Sequence, residues 1–170
     1  LLQQNPLMVY AGQEYGERGM DQEGFSGRDG RTTIFDYWCI DTLVRAAQRK
    51  LTAEEKVLKA QYDKVLNIAR SEKSIVEGDS FDLMYVNGQY QRQYAFLRKA
   101  DSEVLLVVVN FDDLPVVMDV MIPAHAFDFL NSKEKKVVAM DLLTGERIRL
   151  QLQRDMPVAV SLKPLGAVIM

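Results

Sequence analysis

The 170-residue chain is 48% hydrophobic and 26% charged, with 10 Gly, 5 Pro and a formal net charge of −3. That is enough apolar material for one cored domain, or one domain and part of another, and it excludes a collagen-like or wholly disordered polypeptide. The 21 basic and 24 acidic residues leave no cationic surplus for phosphates, which argues against nucleic acid as a partner, and the longest apolar run, Val104–Val109, is far short of the ~20 residues of a membrane helix. One cysteine, Cys39, and one histidine, His125, exclude an internal disulfide and the multi-cysteine and two-histidine metal sites within these residues.

The sequence opens on Leu1, with no charged leader and no apolar segment ending in a small-residue cleavage site, and is expected to be a fragment whose upstream part is missing. A signal peptide of the parent would lie upstream of Leu1, so the compartment is not read from these residues. After Pro6, the run Leu7-Met8-Val9-Tyr10-Ala11-Gly12 predicts a buried strand with no partner strand before it. Gly12, Gly16, Gly19, Gly24, Gly27 and Gly30 then punctuate a long charged loop to about Arg31. From Asp36, the residues Ile40, Leu43, Val44 and Ala47 recur at helical steps, and Arg49-Lys50 suit the carbonyl-rich end. Thr52-Ala53-Glu54-Glu55 is a capping box, opening a helix over 53–70 whose apolar side carries Val57, Leu58, Tyr62, Val65, Leu66 and Ala69.

Helical periodicity stops at Ser71–Ser80, and the remainder reads as β. Strands are expected over Phe81–Val86, Tyr94–Arg98, Val104–Asn110, Val116–Ile122, Lys136–Leu142, Ile148–Leu152, Pro157–Leu162 and Gly166–Met170. Asn87-Gly88 is a tight-turn signal, Asp112–Pro115 and Thr144-Gly145 are further turns, and Pro123–Leu130 is a loop or a single helical turn. Eight short strands with no helices between them predict a mainly β chain ending in an antiparallel sandwich.

Four segments together resemble the α-amylase family, glycoside hydrolase family 13. Pro6–Glu14 is similar to the last strand of that family's (β/α)8 barrel, which ends in Tyr-x-Gly-(Gln/Glu/Asp)-Glu. Gly30-Arg31-Thr32 with Phe35-Asp36-Tyr37-Trp38 resembles the segment that follows it. The helix over 54–70 with Ser74–Phe81 looks like the final helix and its link to the sandwich. Val104–Asn110-Phe111 is similar to the Val-Val-Val-Asn-Phe strand of the family's C-terminal domain. The resemblance implies a remnant strand, loop and helices of a barrel over 1–72 and an all-β sandwich domain over 73–170. It also implies a parent that cleaves or transfers α-linked glucose with retention, through a covalent glycosyl-enzyme. For this chain itself no cofactor and no metal site is expected. The family's three catalytic carboxylates lie on earlier barrel strands, so none falls on this chain, which alone is expected to be inactive.

Glu14 stands where barrel enzymes keep their chemistry, at the carboxyl end of a strand. It can bind sugar or hold loop backbone, and with Glu17 or Asp21 it is the nearest approach to a carboxylate pair. Arg28, Asp29 and Arg31 can bind sugar hydroxyls or brace the loop by an Arg–carboxylate pair. Tyr15, Phe25, Tyr37 and Trp38 can stack on sugar or pack in a core. His125 is read as a surface or packing residue, Cys39 as a small buried one, and Lys133–Lys136 as a solvated turn. Asp112 and Asp113 offer too few oxygens for calcium. Gly24–Thr32 lacks the ending of a phosphate loop.

Leu7, Met8, Val9 and Tyr10 each gain about 1.5–3 kcal/mol from full burial, so left bare they forgo roughly 6–12 kcal/mol together. Residues 1–35 are therefore expected to dock on their own sandwich, to pair with another copy through the strand edge, or to move freely. The expected functions are a C-terminal segment of an amylase-like glycoside hydrolase acting on α-glucan or related oligosaccharide, bracing the barrel, or an autonomous sandwich module that binds carbohydrate through an exposed aromatic such as Tyr90. A plain interaction domain is the third.

Overall fold

The computed structural model describes residues 2, 5–17 and 40–170. They form two compact units, one within 5–67 and one comprising 68–170 with Leu2.

In the first unit, helix α1 (Asp41–Ala47) and helix α2 (Ala53–Ser71) follow one another. The capping box is made: the Glu55 N–H donates to Thr52 Oγ1 at 3.3 Å and the Thr52 N–H donates to Glu55 Oε2 at 2.9 Å. The opening segment departs from expectation. Residues 6–10 form no strand, and a single 3-10 turn, Gln13–Tyr15, follows them. Strand propensity alone does not make a strand, because the ladder hydrogen bonds need a neighbour. Leu7, Met8, Val9 and Tyr10 are all exposed, Met8 to 72%.

The second unit is mainly β with eight antiparallel strands, as the sequence predicts. Helix α3 (Lys73–Val76) leads into β1 (Asp79–Asp82), β2 (Gln93–Ala100), β3 (Glu103–Asn110) and β4 (Val116–Ile122). Helix α4 (Ala124–Phe129) follows, then β5 (Lys135–Met140), β6 (Arg147–Leu152), β7 (Met156–Leu162) and β8 (Ala167–Ile169). One sheet has the order β1-β2-β3-β8, while β4 pairs with β7 and β5 with β6. One core joins Leu97, Leu106 and Val108 of the large sheet to Met118, Val120, Val158 and Val160 of the facing ribbon and to Phe127 of α4. No helix of the described residues is long and apolar enough to cross a membrane.

Strands β4 and β7 alternate buried and exposed residues, as one-sided strands do. The middle of β3, Leu105–Val108, is buried without alternation because α3 packs against β2 and β3. Arg98 of β2 lies fully buried there, donating from Nε to the Ser74 carbonyl (3.0 Å) and from Nη2 to that of Ile75 (2.7 Å). Burial pushes its guanidinium below the ordinary arginine value.

The strand expected over 81–86 is shorter and earlier, ending at Asp82. Asp82 Oδ1 accepts from the Met84 N–H (2.7 Å), turning the chain into a 3-10 turn over Met84–Val86. Asn87-Gly88 is not a two-residue hairpin. The Asn87 side chain is fully buried, donating to the carbonyls of Leu83 (2.7 Å) and Met121 (3.0 Å) and accepting from the Met121 N–H (2.8 Å). The tight hairpin lies instead at Asp101-Ser102, between the paired Ala100 and Glu103, with Asp101 at φ 50°.

Candidate functional site

In the first unit, Gly12 takes φ 88°, and a Cβ there would stand 2.9 Å from Glu17 Cβ and 3.0 Å from Thr42 Oγ1. This close approach brings the 3-10 turn to the start of α1. Glu17 Oε2 accepts from both the Thr42 N–H (3.2 Å) and its hydroxyl (2.5 Å), satisfying a backbone donor of the first helical turn. Gln13 donates to the Tyr62 hydroxyl at 3.0 Å. Beside this joint lies a cleft of about 440 Å³ bordered by Tyr15, Glu17, Asp41, Arg45, Glu54 and Glu55.

Glu55 forks with Arg45, accepting from Nη2 at 2.5 Å and from Nε at 3.0 Å. That guanidinium, and next the Thr52 N–H, hold the Glu55 carboxyl below the ordinary carboxylate range. Both Glu17 and Glu55 thus serve the helices. Glu14 is half-buried on the 3-10 turn, and its charge reaches Lys59, whose pKa is raised chiefly by the hydrogen bond to Asp63 and slightly by Tyr15 and Glu14. Arg28, Asp29 and Arg31 lie outside the described residues, as do Asp21, Phe25, Tyr37, Trp38 and Cys39. Tyr15 is half-buried at the cleft wall.

The second unit carries an aromatic cluster where β1 and its following turn meet α4. The Phe81 ring centre lies 5.0 Å from Phe129, 5.5 Å from His125 and 6.3 Å from Tyr85. Tyr85 is 58% exposed, and its hydroxyl is hydrogen-bonded to His125 Nε2. Partial burial, with the charges of Asp155 and Asp82, raises the Tyr85 pKa. Ring faces beside two carboxylates can take the C–H face of a pyranose and its hydroxyls.

The sequence points to Tyr90 as the exposed sandwich aromatic, but Tyr90 is half-buried against the core and its hydroxyl accepts from the Asp119 N–H at 2.9 Å. Tyr85 was hidden because 81–86 reads as one strand; the signal that separates it is Asp82, a turn-former inside that run. His125 is exposed, and Lys133–Lys136 are exposed as expected, but only Lys133 and Glu134 lie in the turn, since Lys135 and Lys136 open β5. Asp112 accepts from the Leu114 N–H (3.3 Å) and pairs with Arg92 (3.5 Å), a turn rather than a cation site. Among the described residues, no three His, Cys, Asp or Glu side chains form a group able to hold a metal ion.

No protein-family model matches the chain, and no curated protein matches it significantly. Solved structures do. AmyP in complex with maltose is 17% identical with a TM-score of 0.50, and an AmyP variant in complex with maltotriose is 16% identical with a TM-score of 0.51. Each match covers 70% of this chain and 21% of AmyP. Isomaltulose synthase from Klebsiella sp. LX3 matches more loosely, with 23% identity and a TM-score of 0.46 over 88% of this chain and 24% of that one. The chain thus spans about a fifth of AmyP's length, and over that span it is similar to AmyP in fold.

Proposed function

We propose that the chain is a C-terminal segment of an α-amylase-like glycoside hydrolase acting on α-glucans or related oligosaccharides. Residues 1–72 are the end of its catalytic barrel and 73–170 its sandwich domain, which braces the barrel; the catalytic carboxylates belong to the part upstream. The fold likeness to AmyP, confined to a fifth of that enzyme, carries this reading. The four amylase-like segments, occurring in the family's order, support it. So does the exposed run Leu7–Tyr10, which has the apolar character of a barrel strand and lacks strand neighbours among the described residues. AmyP was solved with maltose and maltotriose, and we carry that ligand class to the parent enzyme. Sugar contacts in this region fall to Glu14, Arg28, Asp29 and Arg31.

The residues encoded just upstream of Leu1 test the assignment. Barrel strands closing in an aspartate and a glutamate are expected; an unrelated domain there overturns it. The purified chain should release no glucose from maltotriose. Release that persists through purification and disappears in Glu14→Gln would place catalysis in this segment and overturn its role as a brace.

A second reading rests on the aromatic cluster: the sandwich is a carbohydrate-binding module in its own right. Maltotriose binding at millimolar concentration or better, lost in Tyr85→Ala and kept in Glu14→Gln, would favour it. No binding to the sandwich would remove it.

A further inference from the structure

The one Asn-Gly pair of the sequence, Asn87-Gly88, has no part in the sites described above. In an unfolded chain an asparagine followed by glycine is chemically fragile. The next backbone nitrogen attacks the side-chain amide carbon, and a glycine puts no side chain in the way. Nothing in the fold asks for glycine at this position. Gly88 is exposed, its φ lies outside the left-handed region, and a Cβ on it would meet only the Met84 carbonyl oxygen at 3.8 Å, an ordinary contact. The pair is therefore a reactive dipeptide rather than a turn requirement.

The folded structure holds the reacting atoms apart. Asn87 is fully buried, with φ −119° and ψ 27°. At that ψ the Gly88 nitrogen stands nearly opposite the Asn87 Cβ across the Cα–C bond, whereas ring closure needs the two on the same side. The backbone is pinned there, because the Asn87 N–H donates to the Met84 carbonyl (3.1 Å) and the Asn87 carbonyl accepts from the Tyr90 N–H (3.0 Å). The side chain is fixed as well. Its Oδ1 accepts from the Met121 N–H (2.8 Å), and its Nδ2 donates to the carbonyls of Leu83 (2.7 Å) and Met121 (3.0 Å). Breaking this set frees β4 from the turn after β1, which is an opening of the sandwich and not a side-chain rotation.

We propose that Asn87-Gly88 is a spontaneous deamidation site that the native fold keeps closed and that unfolding opens. In the opened chain the Gly88 nitrogen bonds to Asn87 Cγ, the Cγ–Nδ2 bond breaks, and the Gly88 amide proton leaves with Nδ2 as ammonia. Water then adds across either carbonyl–nitrogen bond of the succinimide ring, leaving aspartate or isoaspartate in place of Asn87. The net change takes up one water and releases one ammonia, with no oxidant or reductant. Neither product fits the native site. Aspartate turns an acceptor oxygen toward the Leu83 and Met121 carbonyls where the amide offered a donor, and isoaspartate lengthens the main chain within a hydrogen-bonded turn. A passing opening thus becomes a lasting one, and the chain keeps a chemical record of having unfolded.

The test incubates the 170-residue chain in mildly alkaline buffer, with and without unfolding guanidinium chloride, and follows each asparagine by peptide mass mapping. In denaturant Asn87 should convert faster than Asn67 and Asn110, which precede the bulky Ile68 and Phe111. In buffer alone its conversion should be slowed by about a hundredfold or more, since reaction waits for opening. Gly88→Ala, compared in denaturant where folding plays no part, should slow conversion several-fold. Chains converted in denaturant and then diluted should be missing from the fraction that elutes as refolded protein. Asn87→Asp, which equals one product, should unfold at a lower denaturant concentration than the unaltered chain. Equal conversion of Asn87 in buffer and in denaturant overturns the proposal, and so does an Asn87 that reacts no faster than Asn67 when unfolded. An unchanged midpoint for Asn87→Asp, or converted chains that refold alongside the rest, would overturn it as well.

Discussion

Asn87 and Asn110 show how far one buried amide reaches. Asn110 donates to the carbonyls of Leu114 (2.9 Å) and Lys163 (3.0 Å) and accepts from Gln93 (2.8 Å) and the Asp112 N–H (3.0 Å), tying two loops to the end of β3. Asn87 does the same between the turn after β1 and strand β4. Neither role is legible locally. Asn110 is visible only as part of a recognisable strand ending, and Asn87 next to Gly88 imitates a hairpin turn because its true partner, Met121, is 34 positions away. Removing either amide leaves the backbone groups it bonds without that partner. Asn87→Ala should therefore lower unfolding stability by about 2–3 kcal/mol in urea titration. A change within experimental error would mean that water reaches the site.

At the scale of elements, legibility followed the length of the repeating pattern. Helix α2 was readable from its capping box and apolar spacing, and strands β4 and β7 from alternation. Helix α3 was not, since four residues carry no period; it forms where Arg98 takes up the Ser74 and Ile75 carbonyls and the Ser74 N–H finds Glu103 (2.7 Å). Its exit depends on Gly78: a Cβ there would lie 2.3 Å from both the Ser74 and Lys99 carbonyl oxygens, which are backbone and cannot swing aside. Gly78→Ala should destabilise the second unit by about 2–4 kcal/mol, read as a lower urea midpoint with unchanged slope.

The α1–α2 pair makes a pH prediction. Glu55 has its pKa lowered from the ordinary 4.5 by Arg45 and the Thr52 N–H. A carboxyl depressed in the folded state stabilises above its unfolded pKa and loses that contribution as pH falls through the folded one. Thermal unfolding of the helices should thus move to lower temperature as pH drops below about 4.5, and Glu55→Gln should flatten that dependence. A slope equal in both proteins would assign it to other carboxyls.

For the whole molecule, eight strands could be counted in the sequence, but their division into a four-stranded sheet and two ribbons could not. That division is set by long-range register, such as Leu106 meeting Met170 and Leu142 meeting Ile169. The opening apolar run made the opposite error possible, because composition announced a strand that has no ladder to join among the described residues. The candidate sugar residues were only partly legible for a similar reason: Glu14 follows from its place after an apolar run, whereas the Phe81–Tyr85–His125 cluster arises from a turn and a short helix folded together. The buried core of the second unit draws its residues from Leu83 to Met170, with Phe81 packed against it. A chain beginning at Ile68 keeps the end of α2, all of α3 and every core residue, and loses Leu2, which is buried. One buried leucine is worth about 1.5–3 kcal/mol, which moves the midpoint of a domain this size by roughly 6–24 °C at most. Residues 68–170 should accordingly still unfold in one cooperative calorimetric transition, with its midpoint lowered by no more than that amount. Loss of the cooperative transition, with far-UV dichroism retained and dye binding gained, would show that the sandwich takes its packing from residues before Ile68.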